Sequence, residues 1–244
     1  MRLSLPMTLR TAAFLLLTAP LTASIAEDSF SEANERLFRT PHLLQLEQPG
    51  ATLDYRYKRM DNAHYDEESV PANALPRDFE DRIKLTITSV DEQWRGTELA
   101  LFTGERNIYF PTMQRSRGNP LLMAFLTHDV TRMSHKTSAP VRYFQNRIKT
   151  ALEEESELTE TTIRFDGQDV PGHEIVITPY SNDPDKARYD GNYWDKRYVF
   201  TVSEQIPGYI YSIEAVAPGM EHMENGNADY WQFDKVVLDK VSTQ

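Results

Sequence analysis

The sequence predicts an α+β fold built on one curved antiparallel sheet with helices on one side. Three observations carry this. Apolar residues alternate at period two in two separate blocks of the chain. Short turns, not crossover helices, join the strands within each block. A pair of helical patterns lies between the blocks. Such a sheet is concave, and helices of this kind plug its hollow. Residues 27–244 are expected to form one domain, with a helical insert at about 119–155.

The segment before that domain reads as an export signal. Arg2 and Arg10 precede the apolar run Ala12–Leu17, which is too short to span a bilayer. Ser24-Ile25-Ala26 puts small residues at −3 and −1, so cleavage is expected after Ala26. The chain has no cysteine, which excludes lipidation at that site and disulfides in an oxidising compartment. Export without lipidation, and the absence of an Asn-x-Ser/Thr sequon, point to the periplasm.

Charge narrows the partners. The full chain carries a net charge of −11, and loss of Arg2 and Arg10 takes it to −13. An acidic protein of this kind has no bulk attraction for nucleic acid or for an anionic membrane surface. No later apolar run approaches the roughly 18 residues needed for a transmembrane span.

Taken in order, Ser29-Phe30-Ser31-Glu32 has capping-box spacing, with Ser29 and Glu32 as the reciprocal pair. Phe30, Ala33, Leu37 and Phe38 form an apolar stripe, and Pro41 ends that helix. This helix reads either as a mobile lid or as a packing element sealing the sheet. The first strand block comprises Leu53/Tyr55/Tyr57, then Ile83/Leu85/Ile87, Leu99–Phe102 and Ile108–Pro111. Turns are expected at Trp94-Arg95-Gly96 and at Gly104–Asn107.

Asn119 is a good N-cap, and Pro120 suits a first helical position, where a missing N–H costs nothing. Leu122, Phe125, Leu126, Val130 and Met133 then share one helical face. A second helix from Pro140 is patterned by Val141, Phe144, Ile148, Ala151 and Leu152. Glu153-Glu154-Glu155 opposes the helix dipole and reads as a fraying end. The second strand block runs Thr161/Ile163/Phe165, the Asp166-Gly167 turn and Ile175/Ile177. It continues with Tyr198/Phe200/Val202, the Pro207-Gly208 turn, Tyr209–Ala215 and a final run Tyr230–Phe233.

Motifs for catalysis are sparse. Gly-x-Ser-x-Gly, Ser-x-x-Lys and Gly-rich phosphate loops are all absent, and no cofactor is implied. His128 and His135 share a helix face but stand about 10 Å apart along it, too far for one metal. Met220-Glu221-His222-Met223-Glu224 offers copper-type ligands in one short polar segment. Asp183-Pro184-Asp185 and Asp190-Gly191-Asn192 read as solvated turns, because their order does not match a calcium loop. The aromatic residues on or beside predicted elements (Tyr55, Tyr57, Tyr109, Tyr143, Tyr198, Tyr209, Tyr211 and Trp231) suit either groove lining or half-buried packing.

One stretch carries a family likeness. Gly104 through Tyr109 to Pro111, then Arg117-Gly118-Asn119-Pro120 and the apolar helix Leu121–Leu126, resembles the LolA/LolB lipoprotein carriers and the related RseB-type N-terminal domain. The resemblance implies an unclosed half β-barrel, its concave face covered by helices over a hydrophobic cavity for lipid chains.

Three functions are therefore weighed. The first is a non-enzymatic periplasmic carrier for a hydrophobic or amphipathic ligand, an acyl chain or lipid moiety, held between sheet and helices. Leu122, Phe125, Leu126, Tyr143 and Phe144 are the expected helix-side lining. The second is an interaction or sensor protein that docks an envelope protein without a small ligand. The third is a hydrolase, for which His128, Asp129 and His173 are the candidate groups.

Overall fold

The computed structural model describes residues 30–61, 78–137, 139–185, 193–218 and 230–243. The export signal, Ser29, the Met220–Glu224 cluster and Asp190–Asn192 lie outside the described residues.

Period-two alternation produces the strands. In β1 (Thr52–Asp61), Leu53, Tyr55, Tyr57, Arg59 and Asp61 are all buried on one face, while Arg56 and Lys58 face outward. β2 (Phe79–Val90) and β3 (Arg95–Leu101) follow, then a 3-10 turn at Gly104–Arg106, β4 (Ile108–Tyr109) and β5 (Met113–Ser116). After the helices come β6 (Glu157–Phe165), β7 (Gln168–Ile177), β8 (Arg197–Val202), β9 (Ile210–Pro218) and β10 (Tyr230–Ser242). They form one 10-stranded sheet in the order β4-β3-β2-β1-β10-β9-β8-β7-β6, with β5 also on β3. Its strand pairings are antiparallel, and the first block joins the second where β1 pairs β10. The architecture is α+β, with an open sheet.

The helices connect the two edges of that sheet. α1 (Glu32–Asn34) runs on as a π-turn, Glu35–Arg39, and α2 (Pro120–Thr137) and α3 (Val141–Glu154) lie between β5 and β6. Asn119 caps α2 as expected: its Oδ1 accepts from Leu121 N at 3.1 Å. Its Nδ2 donates to Tyr55 Oη (2.9 Å) and to the Gly208 carbonyl (3.0 Å), tying the helix start to both strand blocks. Among the described residues, no helix is long and apolar enough to cross a membrane.

Three local expectations are corrected. The N-cap of α1 is Ser31, whose Oγ accepts from Asn34 N at 3.1 Å; Ser31, not Ser29, is the residue next to the first helical turn. Glu153 does not fray. It accepts from Ser31 N at 2.8 Å and from Asn34 Nδ2, docking α1 on α3. The turn into β3 closes at Asp91–Trp94, so Arg95 and Gly96 already lie in the strand. Arg95 is buried there and donates to the Leu44, Leu46, Asp91 and Trp94 carbonyls, which fixes the preceding loop.

Gly208 is required by both backbone and space. Its φ is +80°, and a Cβ there would stand 2.2 Å from Leu53 Cδ1, a side chain with no exposure. Left-handed strain and overpacking together predict that Gly208→Ala costs about 2–4 kcal/mol. Urea denaturation reads this directly; an unchanged midpoint would show that the turn and Leu53 relax freely.

Candidate functional site

The helices carry two different interfaces. On the sheet side, the second half of α2 lies on a bed of charge. Asp129 is 2% exposed; it accepts from Lys196 Nζ at 2.7 Å, Tyr198 Oη at 2.6 Å and Arg132 Nη2 at 2.8 Å. Lys196 has no exposure, and its charge also lies 5.5 Å from the Tyr198 ring centroid. On β10, Asp234 accepts from Arg59 Nε at 3.1 Å, from Arg132 Nη2 at 2.5 Å and from Tyr57 Oη. Lys136 pairs with Asp61 at 3.0 Å. Turned with its oxygen toward the guanidinium, the Gln232 amide accepts from Arg132 Nε at 2.8 Å.

Taking these charges out of water is costly, and the reciprocal pairing offsets that cost. The cluster fixes α2 over β1, β8 and β10. Burial pushes the Tyr57 and Tyr198 hydroxyls well above their ordinary range, and the carboxylates of Asp234 and Asp129 reinforce the effect. Both phenols therefore stay neutral donors. His128 borders the cluster with Nε2 3.2 Å from Arg59 Nη2. Burial lowers its pKa, and the Arg59 charge lowers it further.

His173 is not among these partners. It lies on β7, opposite Glu160 and Val202. Tyr198, the β8 partner of Asp129, pairs with Ile177, and His173 is four residues further along β7, roughly 13 Å of strand. The His128/Asp129/His173 constellation is therefore not assembled. Asp183 is 4% exposed, accepts from Tyr143 Oη and has Arg147 Nε 3.9 Å away, so it is a core partner and no solvated turn. Among the described residues, no group of three or more potential acidic or histidine ligands could hold a metal ion.

On the side away from the sheet, the three helical segments enclose a groove of about 500 Å³. α2 lines it with Met123, Leu126, Thr127 and Val130; α3 lines it with Gln145, Ile148, Lys149 and Leu152. Each set has i, i+3, i+4, i+7 spacing, one continuous helix face. Phe30, Asn34, Phe38 and Arg39 complete the wall from the N-terminal segment. Among the described residues, no strand residue contributes. Met123 is 53% exposed and Phe30 41%, so apolar surface remains in contact with water. Arg39 lies over the Phe30 ring, 4.0 Å from its centroid.

The expected lining is distributed differently from the sequence reading. Leu126 faces the groove. Leu122, Phe125 and Phe144 are 2%, 4% and 4% exposed and pack in the core. Tyr143 is half-buried, edge-on to Phe144, with its hydroxyl on Asp183. Of the strand tyrosines, Tyr55, Tyr57, Tyr198 and Tyr209 are buried packing residues, whereas Tyr109 is 78% exposed. The α1 segment is a packing element, with Ala33 and Leu37 in the core. Sequence reasoning missed Met123, Thr127, Gln145 and Lys149, for which the shared spacing was an available signal. It also missed Arg59, Lys196 and Asp234; Arg59 stands at the parity of buried Tyr55 and Tyr57.

No protein-family model matches this chain, and no curated protein matches it significantly.

Proposed function

We propose that this chain is an exported, non-enzymatic periplasmic binding or carrier protein of the LolA/LolB-like half-barrel type, for a hydrophobic or amphipathic ligand such as an acyl chain. The observation that supports it best is the groove of about 500 Å³ between α1, α2 and α3, lined by Phe30, Phe38, Met123, Leu126, Val130, Ile148 and Leu152. The ligand site is thus assigned one layer further out than the space between sheet and helices. Apolar surface left open in a concave site is what a ligand chain can cover. At about 0.8 kcal/mol per methylene, ten buried methylenes contribute roughly 8 kcal/mol before the cost of association. The linking of both sheet edges through helices supports the half-barrel assignment.

A neutral fluorescent probe, N-phenyl-1-naphthylamine, tests the reading. It is expected to bind saturably at one equivalent. Met123→Glu puts a carboxylate on the groove wall at an exposed position, where substitutions change stability by about 0.5 kcal/mol or less. That variant is expected to weaken the probe at least tenfold. Equal binding by wild type and variant would remove the groove as the site, and no saturable binding would remove the carrier reading.

A further inference from the structure

The groove is unusual for this protein in its charge. The chain has 37 acidic residues against 26 basic ones, yet among the described residues the groove's lining includes Arg39 and Lys149 and no carboxylate. Neither cation makes an ion pair with any described residue. Glu153, one turn beyond Lys149, accepts from Ser31 and Asn34, Glu32 pairs with Arg36 at 2.9 Å, and Glu35, four residues before Arg39, forms no ion pair with it. Two cations without an ion pair among the described residues, on the wall of an apolar groove, attract an anionic group at the end of an apolar body.

Volume limits that body. At roughly 30 Å³ per methylene-sized group, the share of one water in the liquid, about 500 Å³ holds roughly seventeen such groups. That is room for a single long chain within the groove.

We infer that the groove takes a long-chain carboxylate, one acyl chain lying between α2 and α3 with its carboxylate at Arg39 and Lys149. This rests on the carrier reading above and narrows its ligand. Arg39 is the better partner for a carboxylate, because its planar guanidinium presents two parallel N–H donors. Its guanidinium carbon lies 4.0 Å from the Phe30 ring centroid.

Competition against the bound naphthylamine probe tests this at low ionic strength. Four competitors are compared: hexadecanoate, hexadecanol, a hexadecanoyl lysophosphatidic acid and a dihexadecanoyl phosphatidic acid. Hexadecanoate is expected to displace the probe at least tenfold better than hexadecanol, with the gap narrowing in 0.5 M salt. Arg39→Gln/Lys149→Gln, two exposed positions, is expected to bring hexadecanoate down to the level of hexadecanol. Equal displacement by acid and alcohol, or a preference that survives the double variant, would overturn the charge assignment while leaving the carrier reading intact. Tighter binding of the lysophosphatidic acid than of hexadecanoate would overturn the carboxylate. Stoichiometric binding of the two-chain lipid would overturn the single chain. If the probe itself never binds, the carrier reading fails and this inference fails with it.

Discussion

Asp129→Ala is expected to destabilise the protein by about 3–5 kcal/mol. The substitution leaves the Lys196 ammonium without its carboxylate at a site with no exposure, and removes the acceptor for Tyr198 and one acceptor for Arg132. An uncompensated buried charge costs that much, whereas replacing a whole pair with apolar groups is often neutral. The double variant Asp129→Leu/Lys196→Met should therefore be more stable than Asp129→Ala, although it removes more polar contacts. Urea denaturation of the three proteins decides between this and a different account. If the double variant is destabilised as much as Asp129→Ala or more, the cluster stabilises through its contacts and not by mutual compensation of charge.

Acidification is expected to weaken the fold through two histidines. His42 is 2% exposed and stacks on Tyr209 at 4.5 Å. Its Nε2–H donates to the Arg36 carbonyl at 2.8 Å, while Nδ1 accepts from Asn119 N at 3.0 Å. Protonation would set two N–H donors against each other at the cap of α2. His128 accepts at Nε2 from Arg59, so its protonation brings two cations together. Burial is the main cause of the lowered pKa of each ring. Both native rings therefore stay neutral at a pH where the unfolded chain binds protons. Stability is full above about pH 6.5 and falls as the pH drops below it, at up to about 1.4 kcal/mol per pH unit for each histidine. His42→Asn and His128→Gln keep an acceptor near the same position without titrating. Together they are expected to flatten the dependence between pH 6.5 and 5; an unchanged slope would assign the effect to other groups.

The parts of the fold legible in the sequence are those where one face is apolar throughout. Leu122, Phe125, Val130 and Met133 mark the buried side of α2, and Asp166-Gly167 marks a hairpin whose two residues adopt positive φ of 47° and 74°. Elsewhere the inward positions are polar, and alternation no longer signals a strand. β10 runs to Ser242, beyond the expected end at Phe233, because inward Gln232 and Asp234 interrupt its pattern. β5, Met113–Ser116, has no apolar alternation to detect. Buried Lys196 and Arg59 look like surface residues until partners from distant segments neutralise them. The groove was hidden for a related reason: three separate segments build it, and each contributes a residue that reads as solvent-facing, Arg39, Thr127 and Lys149.

Photolabelling tests most directly whether the ligand lies outside the sheet–helix core. A hexadecanoate analogue with a diazirine near the middle of its chain would be crosslinked at one equivalent and mapped by peptide mass spectrometry. Saturable adducts confined to Phe30–Arg39, Met123–Val130 and Gln145–Leu152 are the predicted result. Adducts on β1, β8 or β10, at inward residues such as Tyr57, Tyr198 or Val236, would contradict it.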